Sequence, residues 1–556
     1  MTVTSAGGVY SFRDLRSIVF NRVFSVNVIN SYWLDIITKD PGMTNVVMTM
    51  DFVFGNGHRI SVATDSISTI DKNSKSHYYA PKLIAEPTIS SSYTLGSGAA
   101  SQRSFVVSID ARTLDPMAVV LGGDLITGFA EISLQIPDGE YESRYVLLKG
   151  DMSGGVVFGT SDEPLEFDVI DPKITFDKIQ PQYICDENSF GNYTKGASIP
   201  EDSIGFRFPI VMDRNTSGVP CIGVLREDLS TGSYQHKFVV CLGHQHRVTT
   251  VFVDGEELPQ VLNIVTVSDA FSANGIKYLE VSILNQSHSY YKDVSVYVYV
   301  ERSDGSERIV IELIEDIIRT MTLYGPVGVD ENLFSRAKTK CPTLLAQLLI
   351  NASGENDIAT AIDYIESTIC SSFPMISMAY SGRGYGPVFT NRSSPVYVEE
   401  LIVGQNLLYD RASSVQESSK EDIYNSYVLK YSFNGITNNH EKIITVNSSN
   451  NVFCKISESR LGLREREPLE SVIIHDDATA QYVADWLASH FSLPSYYVEY
   501  EGSPALMFMV QLGDNVKITD EKLGLSEIKS TIEKIEYQRG RLVIGLRMWL
   551  LYDRIA

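Results

Sequence analysis

The stretch that decides the reading is 475–549: HDDATAQYVADWLASHF at 475–491, SLPSYYVEYEGSPALMFMVQLGDN at 492–515 and VKITDEKLGLSEIKSTIEKIEYQRGRLVIGLRMW at 516–549. Asp476 and Asp477 stand before Ala480, Val483, Ala484, Leu487 and Phe491, an apolar ladder at i, i+3, i+4, i+7 and i+11 that predicts a one-sided helix. An aspartate at its start is an N-cap worth about 1 kcal/mol, and carboxylates there suit the helix dipole. Pro494 ends the helix. Branched and aromatic runs follow at 496–501, 505–512, 516–519, 530–538 and 542–549, with Gly513-Asp514-Asn515 and Arg539-Gly540-Arg541 as turns. These predict consecutive antiparallel strands, hence a small sheet or barrel carrying one helix.

Working outward, 556 residues exceed what one core holds and imply three to five domains. No stretch of 18 residues lacks polar side chains, so neither a membrane span nor stable membrane insertion is expected. The first twenty residues, with Arg13 and Arg16, do not form a secretory signal. Cys185, Cys221, Cys241, Cys341, Cys370 and Cys454 include no CxxC pair and are read as buried reduced thiols. The net charge of −23, from 69 acidic and 46 basic residues, argues against a chain that grips phosphate backbones. An acidic surface lining a channel would instead keep nucleic acid from sticking, although solubility alone explains the same excess.

From the start, 17–29 is an apolar run with 32–37 behind it. Residues 46–54 and 58–63 form a hairpin around Gly55-Asn56-Gly57, whose Asn-Gly pair suits a tight turn. His58 beside Arg59 is read as structural or surface rather than catalytic. A serine- and glycine-rich loop at 90–104 leads to strands at 104–110, 126–136, 141–149 and 156–171, so 18–175 is all-β. Seven looser strands between 203 and 301 predict a sandwich or barrel that reads as inserted. Helices are expected at 309–321, 330–338, 342–349 and 357–371, followed by a hairpin whose tip holds Gly382, Gly384 and Gly386. No lysine or helix follows those glycines as a phosphate loop requires. Residues 396–475 return to β structure, with Arg460, Arg464 and Arg466 among glutamates as an exposed salt network.

Few side chains suggest chemistry. His244 and His246 form an HxH pair that could share a strand face and bind a transition metal, with Cys241 and Asp254 in range, but the plainer reading is a wet turn. Tyr290 and Tyr291, with Tyr297 and Tyr299 behind them, could stack on sugar rings or pack at an interface. Asp202, Asp213 and Asp228 lack calcium-loop spacing. There is no Gly-x-Ser-x-Gly and no His-Glu-x-x-His, so no enzymatic activity and no cofactor are expected.

The order of these segments resembles the hub proteins at the tip of bacteriophage tails. The residues that carry the resemblance are 310–324, 330–349, 359–371 with the hairpin at Gly382, 475–480 followed by Gly513-Asp514-Asn515-Val516, and, earlier, Tyr79-Ala80-Pro81, 103–109, 131–136 and 142–150. The resemblance implies a mainly β, multidomain chain with a smaller α/β part: a barrel domain at 1–175, an inserted all-β domain at 176–305, a helical α/β domain at 306–395 and a second barrel with one helix at 396–556. It further implies a homotrimer at the virion's tail tip. Two barrels per chain would make a pseudo-sixfold ring that contacts distal tail or tail-tube proteins, holds a spike or fibre and lets genomic DNA pass without specific binding. The chain stops at Ala556 straight after the second barrel, so a separate spike or fibre protein would reach the host. A carbohydrate- or receptor-binding tail protein is the alternative expectation.

Overall fold

The computed structural model describes residues 2–5, 8–11, 33, 36, 39, 43, 45–53, 59–84, 86–96, 104–110, 129–152, 156–158, 165–171, 179–180, 183–185, 203–228, 234–243, 245–258, 264–271, 277–285, 295–321, 329–351, 359–381, 384–392, 399–411, 413–538 and 540–550. The fold is mainly β, in several sheets, with a smaller helical part. The apolar run at 17–29, His58, His244, Tyr290 and Tyr291 lie outside the described residues.

The first sheet is built from β1 (Val47–Val53), β2 (Arg59–Ala63), β3 (Ile67–Ile70), β4 (Ser76–Pro81), β6 (Ser104–Ile109), β7 (Phe129–Gln135), β8 (Tyr145–Asp151), β9 (Val156–Phe158) and β10 (Leu165–Ile170), while β5 (Ile89–Ser92) leaves it. The expected hairpin is β1–β2, with Val53 opposite Arg59. The sheet closes on itself through the residues after β4. Leu83 N bonds Ala63 O at 3.0 Å on one side, and on the other Ile84 N bonds Ser108 O at 3.1 Å and Asp110 N bonds Lys82 O at 2.8 Å. Closure removes the edges that an open sheet would expose. At the seam of β8 and β10 the chains approach so closely that a Cβ on Gly150 would sit 2.8 Å from Ile170 O. Met48, Met50 and Phe52 of β1 face the core, and its other face, Thr49 and Asp51, is covered by Tyr79 of β4.

Next comes a two-sheet sandwich. One sheet orders β11 (Asn215–Pro220), β17 (Val296–Arg302) and β14 (His246–Val253). The other orders β12 (Ile222–Asp228), β13 (Tyr234–Leu242), β16 (Lys277–Asn285) and β15 (Ile264–Phe271). Alternation sends Val296, Val298 and Val300 into the shared core with Val240, Val251 and Val281, and leaves Tyr297 and Tyr299 on the outer face.

Among the described residues, three helices follow. α1 (Val310–Met321) buries the expected isoleucine stripe, and α2 (Glu331–Lys340) is capped by Asp330, which accepts from the backbone of Asn332 and Leu333. α3 begins at Ala361–Tyr364, passes through a π-helical turn at Ile365–Ile369 and ends at Cys370–Ser372. They pack on the hairpin β18 (Ile376–Ser381) and β19 (Gly384–Phe389). The helix expected at 342–349 does not form: α2 ends at Cys341, Pro342 cannot extend it, and Leu348–Ile350 instead pairs as a strand with Ile210–Met212.

The last part holds β20 (Glu399–Ile402), β21 (Leu407–Arg411), β22 (Tyr427–Asn434), β23 (Asn439–Val446), α4 (Val452–Leu461), α5 (Asp477–Phe491), β24 (Tyr496–Gly502), β25 (Asn515–Asp520), β26 (Leu525–Gln538) and β27 (Arg541–Met548). The helix read from the ladder is α5, and its cap is Asp476, which accepts from Thr479 N at 2.7 Å. The second large sheet orders β20-β25-β26-β27-β24-β21, and its two end strands, consecutive in the chain, meet at the Val403–Leu407 bridge. Asn406 fixes that corner by accepting from Ile402 N at 2.7 Å and donating to Glu400 O at 2.8 Å. The strand expected at 505–512 is a 3-10 helix, Pro504–Phe508. Its apolar run reads like a buried strand, but Pro504 has no N–H for a ladder, and Phe508 stacks on Trp33 at 5.1 Å. β22, β23 and Leu469–Glu470 form a three-stranded sheet against α5.

Candidate functional site

Buried ionic and hydrogen-bonding side chains mark three joints between these units. The first joint is a strand exchange. β26 is fourteen residues long; its first half pairs with β25, which leaves the same edge of its second half open, and β5 fills it with Ile89 opposite Tyr537 and Ser92 opposite Lys534. A segment from the first quarter of the chain thus completes the sheet built by the last. Tyr93 continues the strand: its N–H bonds Glu533 O at 3.2 Å, and its buried hydroxyl lies 3.1 Å from Thr390 Oγ1. Burial pushes that phenol well above its ordinary pKa. Glu533, at a bulge in β26, is 4% exposed and accepts from Arg547 Nε at 2.6 Å.

The second joint ties α2 to the turn before β25. Asp514, one of the residues read as a turn, is fully buried and faces Arg336, while Lys340 Nζ donates to Gly513 O at 2.6 Å and to Asp514 Oδ1 at 3.2 Å. Burial and the neighbouring Arg336 lower the Lys340 pKa to about 7, so the amine is partly neutral near pH 7, and the Arg336 guanidinium is the standing charge on the carboxylate that fixes the helical unit to the second large sheet. The third joint gathers Trp486, His490 and Trp549: His490 stacks on Trp486 at 4.1 Å, and Trp549 Nε1 donates to His490 O at 3.1 Å. Burial, and then the nearby Arg392, hold the imidazole pKa well below its ordinary value, so the ring is neutral near pH 7. Closed in by indoles, it is a packing element rather than a proton carrier.

The structure places His246 at the first residue of β14, opposite Arg302 and largely buried, with its pKa lowered chiefly by that burial. Cys241 points into the sandwich core, and Asp254 follows the far end of β14, so neither approaches it. Among the described residues no group of three His, Cys, Asp or Glu side chains is placed to hold a metal ion. Tyr297 and Tyr299 lie on the sandwich's outer face, with Tyr299 beside Phe252 at 4.7 Å. The cysteines are free thiols; Cys185, Cys241, Cys370 and Cys454 are buried, and Cys221 and Cys341 are partly so. Among the described residues no helix is long and apolar enough to cross a membrane.

The joints were not read from the sequence. The signal for β5 was the alternation Ile89, Ser91, Tyr93 inside what reads as a serine loop, and Asp514 was hidden by its turn-forming neighbours.

No protein-family model matches the chain, and no curated protein matches it by sequence. Solved structures to which it is similar include three virion or tail proteins. One is a chain of the virion of a native gene transfer agent particle, at 12% identity and a TM-score of 0.39, over 65% of this chain and 87% of that one. Another is the 43 kDa tail protein of prophage MuSo2 from Shewanella oneidensis, at 14% and 0.26, over 61% and 97%. The third is a tail protein from Neisseria meningitidis MC58, at 11% and 0.27, over 62% and 96%. Likeness of this size leaves function to be argued from the chain itself.

Proposed function

We propose that the chain is a structural component of a virion tail, a hub of which three copies form a ring at the tail tip. The observation that carries this reading is the pair of large curled sheets in one chain, locked together by β5. Three such chains would set six barrels in a ring, the number needed to mate a trimer with a sixfold tube. In this reading the barrels lie in 1–175 and 396–556, and the inserted sandwich (176–305) and helical unit (306–395) project from the ring. The ring closes or lines the tube, contacts distal tail or tail-tube proteins and holds a spike or fibre. The net charge of −23 favours a lumen that repels phosphates and lets genomic DNA slide through. Such a role asks for rigid joints and obligate contacts, about 2,000–5,000 Å2 per interface, and for no catalytic group.

Native mass spectrometry with negative-stain imaging tests the proposal. The expected result is a three-membered ring with a central hole or pit. A monomer at every accessible concentration, alone and with a distal tail protein, would overturn it.

A further inference from the structure

A second feature goes beyond a structural role. Between the outer face of the sandwich sheet and the end of the β22–β23 hairpin lies a cleft of about 470 Å3, within the roughly 300–1,000 Å3 of small-ligand sites. One wall is the outward-facing row of β17, Tyr299 and Glu301, with Arg214 beside it. The other is Asn434 and Glu441 of the hairpin, with His475 just ahead of α5.

The cleft is held open by both walls' own packing. Gly435 N bonds Ser217 O at 2.5 Å, and Ile436 rests on Gly218, whose positive φ of 95° and contact with Ile436 leave no room for a side chain. Further in, Gln347 accepts from Thr216 N at 2.7 Å through its side chain and bonds Ile473 O at 2.8 Å through its backbone, tying the sandwich to the chain before α5. A pre-formed site of this kind costs a ligand little ordering.

The groups around it select the ligand's chemistry. Glu301 pairs with Arg247, and Arg214 pairs with Glu307 at 3.3 Å, so two of the three nearest charges are already balanced. Among the described residues, Glu441 accepts from the uncharged amide of Asn434, at 2.7 Å, and pairs with no cation. The cleft therefore keeps a negative balance, which disfavours phosphates, carboxylates and sialic acids. His475 Nε2 has no hydrogen-bond partner among the described residues. Carboxylates that accept from hydroxyls, an amide and guanidinium that donate, and the flat apolar face of a tyrosine together match a polyhydroxylated ring.

We propose that this cleft binds a neutral oligosaccharide, with Tyr299 stacking on a sugar ring and Glu441 accepting from its hydroxyls. The site does not depend on Tyr290 or Tyr291, nor on the hub reading.

Saturation-transfer NMR and calorimetry on the full chain, with maltotriose, tri-N-acetylchitotriose and, as an anionic control, 3′-sialyllactose, test it. A neutral trisaccharide should bind saturably and the sialylated one should not. Glu441→Gln should weaken binding roughly tenfold or more, as loss of a charged hydrogen-bond partner does, with an unchanged melting temperature. Tyr299→Ala should abolish it, and Tyr299→Phe, which keeps the ring, should retain it. Failure of both neutral probes to saturate, preference for the sialylated probe, or equal affinity in Glu441→Gln would each overturn the proposal.

Discussion

Arg547 Nε lies 2.6 Å from Glu533 Oε1 in the interior of the second large sheet, and its Nη1 donates onward to Ser495 Oγ at 3.0 Å. Burial raises the Glu533 pKa against the pull of Arg547, so the pair is held at a desolvation cost and matters most when one half is missing. Arg547→Met should destabilise the chain by roughly 3–5 kcal/mol, because it strands a buried carboxylate. Joint replacement, Glu533→Leu with Arg547→Met, should recover most of the loss. Calorimetry of the single and double variants checks this; equal losses in both would mean that the charge pair is not what the sheet needs.

The strand exchange gives a local prediction. Tyr93→Ala removes a buried aromatic and should cost about 3–5 kcal/mol, whereas Tyr93→Phe loses only a hydroxyl bond, about 1 kcal/mol. Because β5 covers the edge at Lys534–Tyr537, amide exchange in that segment should rise in Tyr93→Ala and stay protected in Tyr93→Phe. Uniform protection in both variants would show that the edge does not rely on β5.

What could be read in advance follows from how local the forces are. α1 and α5 were legible because apolar side chains recur on one face, and the β1–β2 hairpin because Asn-Gly between two branched runs is a tight-turn signal in the sequence. α4 was not, since its sequence carries no one-sided apolar stripe; Asn451 caps its start and Gly462 its end. Pro504–Phe508 was misread because a short, wholly buried run has no period to betray its conformation. β5 and Asp514 escaped for a different reason. Their partners lie more than 170 residues away, and serine, glycine and aspartate are chosen there by a distant edge or cation rather than by neighbours. The candidate cleft was not read from the sequence: the sugar-stacking expectation centred on Tyr290 and Tyr291, with Tyr299 only behind them, and the facing wall comes from another part of the chain.

Inside the first sheet, Asp51 gathers Arg59 Nε at 2.8 Å and Tyr79 OH at 2.9 Å, and Gln135 Nε2 donates to the same phenol oxygen at 2.8 Å. Asp51→Ala leaves a half-buried guanidinium and a buried phenol without their acceptor, and should cost roughly 3 kcal/mol or more. Tyr79→Phe, which keeps the packing, should cost less than half as much. A melting temperature unchanged in Asp51→Ala would show that this polar layer is incidental to the closed sheet.

Acid sensitivity should come from three histidines. Burial holds His490 well below its ordinary pKa, lowers that of His246 and brings His475 down to about 4. Unfolded, all three titrate near 6.5, so as pH falls below that value the unfolded chain takes up protons that the folded chain refuses. The stability they contribute is complete above about pH 6.5 and is lost progressively towards pH 4, by at most roughly 3 kcal/mol for His475, which is partly exposed. The carboxylates held low by hydrogen bonds or partners, Asp71, Glu470 and Asp477, unload only at more acid pH and leave this window to the histidines. Glu533, with its raised pKa, acts in the opposite sense. Melting temperatures measured between pH 7.5 and 5 should fall in the native chain, and the fall should be shallower in His475→Gln, which cannot take up a proton in either state. A variant that parallels the native curve would move the acid sensitivity elsewhere.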